Sequence, residues 1–292
     1  MKIMITGGEG FIGKYVQSRC AELGIETATF DPANVNDGGV TQDVRNAASI
    51  VRGFTDFFTT SDPDAVIHLA GLLGTHELWA TPEKAIDVNI KGALNVAQWC
   101  LESGKKMVSI EQPHIWYNVY EASKLAARRM LTGLHYDQGL QVEFVTAHNA
   151  FGPGQAYGDG HPRKILPTFA TQAWEGGPVE MWGDGKQKVN LVYAGDVADA
   201  LVSRALDPLS HPLVQYQAGN DTLQTVESIA TYVATYVGGV EVVKIGNRPG
   251  EQNRFDYPEP NHSYPYSFDR QKLDATIESY RPANYAWNEY VV

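Results

Sequence analysis

Cysteine is scarce, long apolar runs are absent and cations are in deficit. Cys20 and Cys100 are the only cysteines in 292 residues. Two thiols cannot build a zinc centre or a disulfide framework, and each lies in an apolar pattern, so both are expected to be buried core residues. No metal centre is expected. No apolar stretch approaches the roughly 18 to 20 residues of a membrane span. Met1-Lys2-Ile3-Met4-Ile5 gives way at once to Thr6-Gly7, too short for the apolar core of a signal peptide. Lys and Arg number 23 against 34 Asp and Glu, a net charge of -11. That field repels polyanions, so neither nucleic acid nor a membrane is an expected partner. These absences place the chain in a reducing, cytoplasmic setting.

What is present is an ordinary globular mixture, 43% hydrophobic and 20% charged, enough to fold without staples. The length allows one large α/β domain or two modest ones, and no internal repeat is visible. Short β-rich runs alternate with helical patterns through the first half, which argues for parallel strands joined by crossover helices. Lys2–Thr6, Glu26–Phe30, Ala65–Leu69, Lys106–Ile110 and Val142–Ala147 read as strands. Gly10–Leu23, Pro82–Ser103 and Tyr120–Tyr136 read as helices, with Gly24 a C-cap for the first. From about residue 150 glycine- and proline-rich turns loosen the rhythm. Helical patterns return at Val197–Ala205 and Val226–Val237, Val240–Ile245 reads as a strand, and Tyr257–Tyr266 as extended chain. The expectation is a doubly wound parallel α/β sheet over 1–150 and a smaller, partly helical substrate lobe over 151–292. A segment of about 186–205 returns to the first domain.

Directly after the first strand, Thr6-Gly7-Gly8-Glu9-Gly10-Phe11-Ile12-Gly13 opens a helix. Gly7 suits a tight turn, Gly10 the approach of a pyrophosphate, and Gly13 close helix–strand packing, with the helix N-terminus facing phosphate. The second strand ends at Asp31, roughly 20 residues beyond the glycines, where an adenosine ribose needs an acceptor. A carboxylate there repels a 2′-phosphate and favours NAD over NADP. The alternative is that Asp31 only starts the turn before Pro32. Asp43 either meets the adenine edge or caps the helix beginning near Asn46.

Tyr120 and Lys124 stand four apart on one helix face. A phenol of ordinary pKa about 10 is a poor base at neutral pH, but a neighbouring cation favours its phenolate. Alone, the spacing equally describes a surface pair.

In order along the chain, these pieces resemble the extended short-chain dehydrogenase/reductase family, in its NAD-dependent nucleotide-sugar epimerase and dehydratase branch. The matching stretches are Thr6–Gly13, Asp31, Asp43-Val44, His68-Leu69-Ala70-Gly71, Asn89 with Gly92, Tyr120–Lys124, Asn149–Gly154, Gly183-Asp184-Gly185, Tyr193 to Asp196 and Arg248–Glu251. The resemblance implies a Rossmann domain holding NAD through Gly7, Gly10, Phe11, Ile12, Gly13, Asp31, Asp43, Val44, Leu69, Ala70, Gly71, Asn89, Tyr120 and Lys124. It implies Tyr120 as base, Lys124 as its activator and Ser109 as a hydroxyl bonding the sugar oxygen. Glu111 is either an acid–base carboxylate or a solvated loop residue. Nucleotide-sugar binding would fall to Asn149, Lys186, Lys188 and Arg248. The family pattern also implies a homodimer formed through Pro82–Ser103 and Tyr120–Tyr136.

Departures from that pattern bear on substrate. Ile110 stands where dehydratases often carry an aspartate, so transient oxidation and epimerisation is the first reading and dehydration the alternative. A net reductase or dehydrogenase and a non-catalytic NAD-binding regulator are further alternatives. The interval between Ser109 and Tyr120 is short, which rebuilds the pocket wall and brings His114 and Tyr117 into consideration. Val189 and Thr146 replace two arginines, and a lysine binds phosphate only as a point charge.

Overall fold

The computed structural model describes residues 1–34, 42–56, 62–74, 78–113, 117–157, 164–207, 215–246 and 264–283. In chain order the elements are β1 (Lys2–Thr6), α1 (Phe11–Glu22), β2 (Glu26–Phe30), α2 (Ala47–Asp56), β3 (Ala65–His68), α3 (Pro82–Ala85), a π-helical segment (Ile86–Gly92) and α4 (Ala93–Ser103). There follow β4 (Lys106–Glu111), α5 (Val119–Gln138), β5 (Val142–Ala147), β6 (Asn149–Phe151), α6 (Ile165–Trp174), β7 (Val179–Trp182), β8 (Lys188–Val189), β9 (Leu191–Tyr193) and α7 (Ala194–Leu206). The described chain closes with β10 (Gln215–Asn220), β11 (Gln224–Thr225), α8 (Val226–Val237), β12 (Val242–Ile245), β13 (Tyr264–Tyr266) and α9 (Arg270–Glu278).

Seven strands form one parallel sheet in the order β13-β10-β5-β4-β3-β1-β2. Strands covered on both faces must be apolar throughout, and β3 and β5 are buried along their whole length. One face packs on α2, α4 and α5 around Met4, Phe30, Phe54, Trp99, Leu131 and Phe144. The other packs on α1 and α7 around Ile5, Val16, Ile67, Val108, Val197 and Leu201. The chain leaves β1 toward β2 and returns on β1's other side as β3. The strand order therefore reverses between them, the position at which open α/β sheets accept ligands.

Beyond residue 150, α6, α8 and α9 with β7 and β12 enclose a separate core that includes Phe169, Trp174, Met181, Ile229 and Leu273. The sheet nonetheless recruits later chain. α7 covers it, and β10 and β13 extend its edge, so the returning segments reach beyond about 186–205. Of the stretch read as extended, Tyr264–Tyr266 is strand β13 and 257–263 lies outside the described residues. Cys20 and Cys100 are both buried. No helix among the described residues is long and apolar enough to cross a membrane.

One buried charge cluster ties four elements together. Glu143 on β5 is fully buried and meets Lys106 Nζ of β4 at 2.9 Å and Arg204 Nε of α7 at 2.6 Å. The Arg204 guanidinium also lies 4.2 Å above the Tyr216 ring of β10. Such a cluster adds little net stability, but removing one partner strands the others in a low-dielectric interior. Glu143→Gln is therefore expected to cost about 3 to 5 kcal/mol in chemical denaturation. A loss below about 1 kcal/mol, the scale of an exposed pair, would contradict this reading.

Candidate active site

At the carboxyl end of β1, Gly7 adopts φ +73°, and a Cβ there would lie 2.7 Å from the Ala70 backbone nitrogen. The glycine thus lets the first loop touch the one after β3. A Cβ on Gly13 would sit 2.3 Å from the Gly8 carbonyl oxygen, so α1 packs directly on that loop. Gly10 is the N-cap of α1, with no side chain capping it and no acidic residue in the first turn. The leading N–H groups of this helix therefore remain available to an anion. Phe11 and Ile12 form its first turn.

Asp31 lies against this loop. Its Oδ2 accepts from the Glu9 N–H at 3.1 Å and its Oδ1 from the Ala33 N–H at 2.9 Å. The carboxylate shapes the turn and borders the glycine loop. Asp43 does not cap the helix near Asn46: its carboxylate pairs with Arg45, which holds its pKa below the usual carboxylate range. The side chain bonding the start of α2 is Asn46, which accepts from the Ser49 N–H at 3.2 Å. Val44 is buried, and its carbonyl accepts from Asn95.

Leu69, Ala70 and Gly71 continue from β3, with Leu69 N–H bonded to the Thr6 carbonyl at 2.9 Å. Asn89, in the π-helical segment, is committed within the protein rather than turned to a ligand. Its Oδ1 accepts from Leu72 N–H at 2.7 Å, while its Nδ2 donates to the Leu72 carbonyl at 3.1 Å and to Ser123 Oγ at 2.9 Å. It therefore positions the loop against α5.

α5 begins at Val119 because Asn118 Oδ1 accepts from the Glu121 N–H at 2.8 Å. This places Tyr120 in the first turn and Lys124 one turn later on the same side. Lys124 is buried, and no carboxylate among the described residues ion-pairs with it. Ser109 and Glu111 alternate along β4 onto the same sheet face, and Ser109 Oγ donates to Glu111 Oε1 at 3.3 Å. Glu111 is 3% exposed, not a solvated loop glutamate. Burial raises its pKa, opposed by Lys124, Arg128 and Ser109. Burial and then the Glu111 charge push the Tyr120 phenol up. The charge of Lys124 bears on both Glu111 and His68.

Other expected residues lie farther along. Asn149 on β6 is half-buried, and its N–H donates to the Asn190 carbonyl at 2.9 Å. Lys186 and Lys188 are exposed around the turn into β8, while Val189 packs into the second-lobe core. Thr146 is buried and in register with Glu111. Tyr117 is 87% exposed and does not enter a pocket. His114 and Arg248 lie outside the described residues.

Sequence reasoning assigned no role to Gly8, Thr6, His68 or Ser123, though each lies in a stretch it singled out. A Cβ on Gly8 would sit 2.4 Å from Thr29 Cγ2. Thr6, His68 and Ser109 form one cross-strand row, and the signal was a polar residue at or near the carboxyl end of three apolar strands. Among the described residues, the buried atoms His68 Nε2, Glu111 Oε2 and Gln112 Nε2 have no hydrogen-bond partner. Together with the glycine cradle and the uncapped helix, these atoms fit a dinucleotide and a polar substrate.

Comparison with known proteins bears on the fold and the family. UDP-glucuronic acid decarboxylase 1 of Arabidopsis thaliana is 25% identical over 228 residues, 70% of this chain and 51% of that protein. UDP-glucuronate 4-epimerase of Thermodesulfobacterium geofontis is 26% identical over 183 residues, 57% of this chain and 55% of that protein. The chain thus spans about half the length of these two relatives. The crystal structure of Thermus thermophilus UDP-glucose 4-epimerase in complex with NAD shares the fold at a TM-score of 0.80 and 24% identity, covering 97% of this chain and 100% of that one. The sequence pattern of the NAD dependent epimerase/dehydratase family matches residues 3–111 and 113–211, and the chain belongs to that family.

Proposed function

We propose that the protein is an NAD-dependent nucleotide-sugar epimerase. The observation that carries this reading is the buried Glu111, bonded to Ser109 on one face of β4 and near enough to Lys124 and Tyr120 for charge to act between them, beside the glycine loop at the switch point. NAD, when bound, supplies a hydride acceptor able to give the hydride back. Gly7, Gly10 and Gly13 with the α1 N-terminus would hold its pyrophosphate, and Asp31 its adenosine ribose. Lys124 would hold the nicotinamide ribose, and Asn89 acts through the loop it fixes.

In the reaction, Tyr120 Oη takes the proton of a sugar hydroxyl as the carbinol carbon loses hydride, leaving a ketone. Ser109 Oγ hydrogen-bonds that oxygen in both oxidation states. Presentation of the other ketone face, return of the hydride and return of the proton from Tyr120 complete an inversion with no net redox change. Dehydration is the second reading, favoured by Glu111, whose buried carboxyl with its raised pKa can deliver a proton to a leaving hydroxyl. The two relatives named above act on UDP-linked glucuronic acid, so UDP-uronic acids head the substrate panel. A homodimer through α4 and α5 and the adjoining segments suits the exposed Ile86, Met130 and Tyr136 on them.

Two outcomes test this. With the NAD-loaded protein and a UDP-sugar panel in heavy water, Tyr120→Phe should lower turnover about a hundredfold to ten-thousandfold while NAD stays bound. Unchanged turnover removes Tyr120 as the base, and deuterium beside the inverted carbon favours dehydratase chemistry. Asp31→Ala should weaken NAD binding by about 1.5 to 3 kcal/mol in calorimetry and narrow the preference over NADP. Unaltered affinity would leave Asp31 a turn residue only.

A further inference from the structure

The loop that leaves β6 is held from both lobes by phenol hydroxyls, and the proposed chemistry uses neither. β6 starts one residue after β5 ends, so residues 152–155 lie beyond the carboxyl end of β5, the side on which open α/β sheets take ligands. Tyr15, in the second turn of α1, donates its hydroxyl to the Pro153 carbonyl at 2.9 Å. Tyr280, just after α9, donates its hydroxyl to the Gln155 carbonyl at 2.7 Å. The two phenols stand 138 and 125 positions from their acceptors, so neither bond belongs to local turn geometry.

The surroundings of Tyr15 are built for that contact. A Cβ on Gly152 would stand 2.6 Å from the Tyr15 hydroxyl oxygen, so the loop reaches the phenol because a glycine precedes Pro153. The Tyr15 ring meets Phe11 edge-on with centroids 5.5 Å apart, and Tyr193 likewise at 5.6 Å. Phe11 is the first residue of α1, in the turn whose leading N–H groups suit an anion. Tyr193 precedes α7, and Lys272 of α9 lies 4.7 Å over its ring while pairing with Asp196 at 2.8 Å. Burial first, and then Tyr193 and Tyr280, push the Tyr15 pKa up, so the hydroxyl keeps its proton and remains a donor at neutral pH. A line of contacts therefore runs from the leading turn of α1, through Phe11 and Tyr15, to the backbone of the loop.

We propose that Tyr15 is a positioning residue through which a dinucleotide in the glycine cradle steadies the loop of residues 152–155 and so favours binding of the sugar nucleotide. It acts through Phe11 on one side and the Pro153 carbonyl on the other. The inference rests on the proposed function for the identity of both ligands. A dinucleotide fixes the leading turn of α1, Phe11 then offers Tyr15 one packing surface, and the hydroxyl keeps one acceptor. A second ligand meets a loop already ordered and loses less conformational entropy there, which couples the two sites without a change of fold. Such coupling is reciprocal, so the sugar nucleotide tightens NAD binding by the same factor. Tyr280 holds the loop from the second lobe alone, outside this line of contacts.

Hydrogen exchange read by mass spectrometry on peptides covering residues 150–157 follows the loop directly. In the parent, saturating NAD should slow exchange there about three- to tenfold, the worth of one hydrogen bond. Tyr15→Phe keeps the ring and its edge contacts and loses only the donor. Its loop should exchange faster without NAD and stop responding to NAD, whereas Tyr280→Phe should exchange faster and still respond. Calorimetry with UDP-glucuronic acid reads the coupling itself. NAD should tighten its binding about three- to tenfold in the parent and by less than about twofold in Tyr15→Phe, with the variant's affinity for NAD alone within about twofold of the parent's. A Tyr15→Phe loop that still slows on NAD addition, a coupling factor equal to the parent's, or loss of the response in Tyr280→Phe as well overturns the proposal. A parent that binds NAD but no UDP-sugar refutes the proposed function instead, and the response of the loop to NAD still decides the role of Tyr15. A parent that binds no NAD refutes both.

Discussion

The structure depends on one constraint: polar groups at the carboxyl ends of buried parallel strands have no water to turn to and must satisfy one another or a ligand. Thr6, His68 and Ser109 end or nearly end β1, β3 and β4, all but inaccessible and in register. The row is partly self-satisfied, through Thr6 with His68 and Ser109 with Glu111. The atoms left over lie where α5 brings Tyr120 and Lys124. Sheet geometry thereby selects which side chains can meet a substrate.

The loops around this row are held by contacts that exclude larger side chains. Gly7 touches the Ala70 backbone, and Asn89 pins the next residues of the same loop to Ser123, whose hydroxyl donates to the Tyr120 carbonyl at 2.7 Å. The dinucleotide loop and the helix bearing the proposed base are thus connected through one amide. The wide turn of the π-helical segment carries that amide, in keeping with the recurrence of π-turns at functional sites.

Much of this was legible in the sequence. Strand and helix positions in the first half followed from apolar runs and glycine punctuation, because parallel strands buried on both faces leave an unambiguous signature. Gly7, Gly13, Tyr120 and Lys124 could be singled out because their spacing carries a local geometric meaning. Other features depend on contacts between distant segments. Nothing local says that Glu111 is buried, that Arg45 occupies Asp43, or that Asn89 bonds Ser123. The recruitment of β10 and β13 to the sheet escaped for the same reason: Tyr264-Pro265-Tyr266 has little strand character until Ala218–Asn220 lies beside it.

Substrate selection is the part in which this chain departs most from the pattern it resembles. Val189 is packed into the second-lobe core and Thr146 is buried against β4 and β10, so neither replacement supplies a cation. The central claim, reversible oxidation of a sugar at Tyr120, is tested most directly by rapid mixing of the NAD-loaded protein with UDP-uronic acids while the near-ultraviolet absorbance of reduced nicotinamide is followed. The account expects that absorbance to rise and then decay as inverted sugar forms. Product formation with no reduced nicotinamide at any time would contradict it.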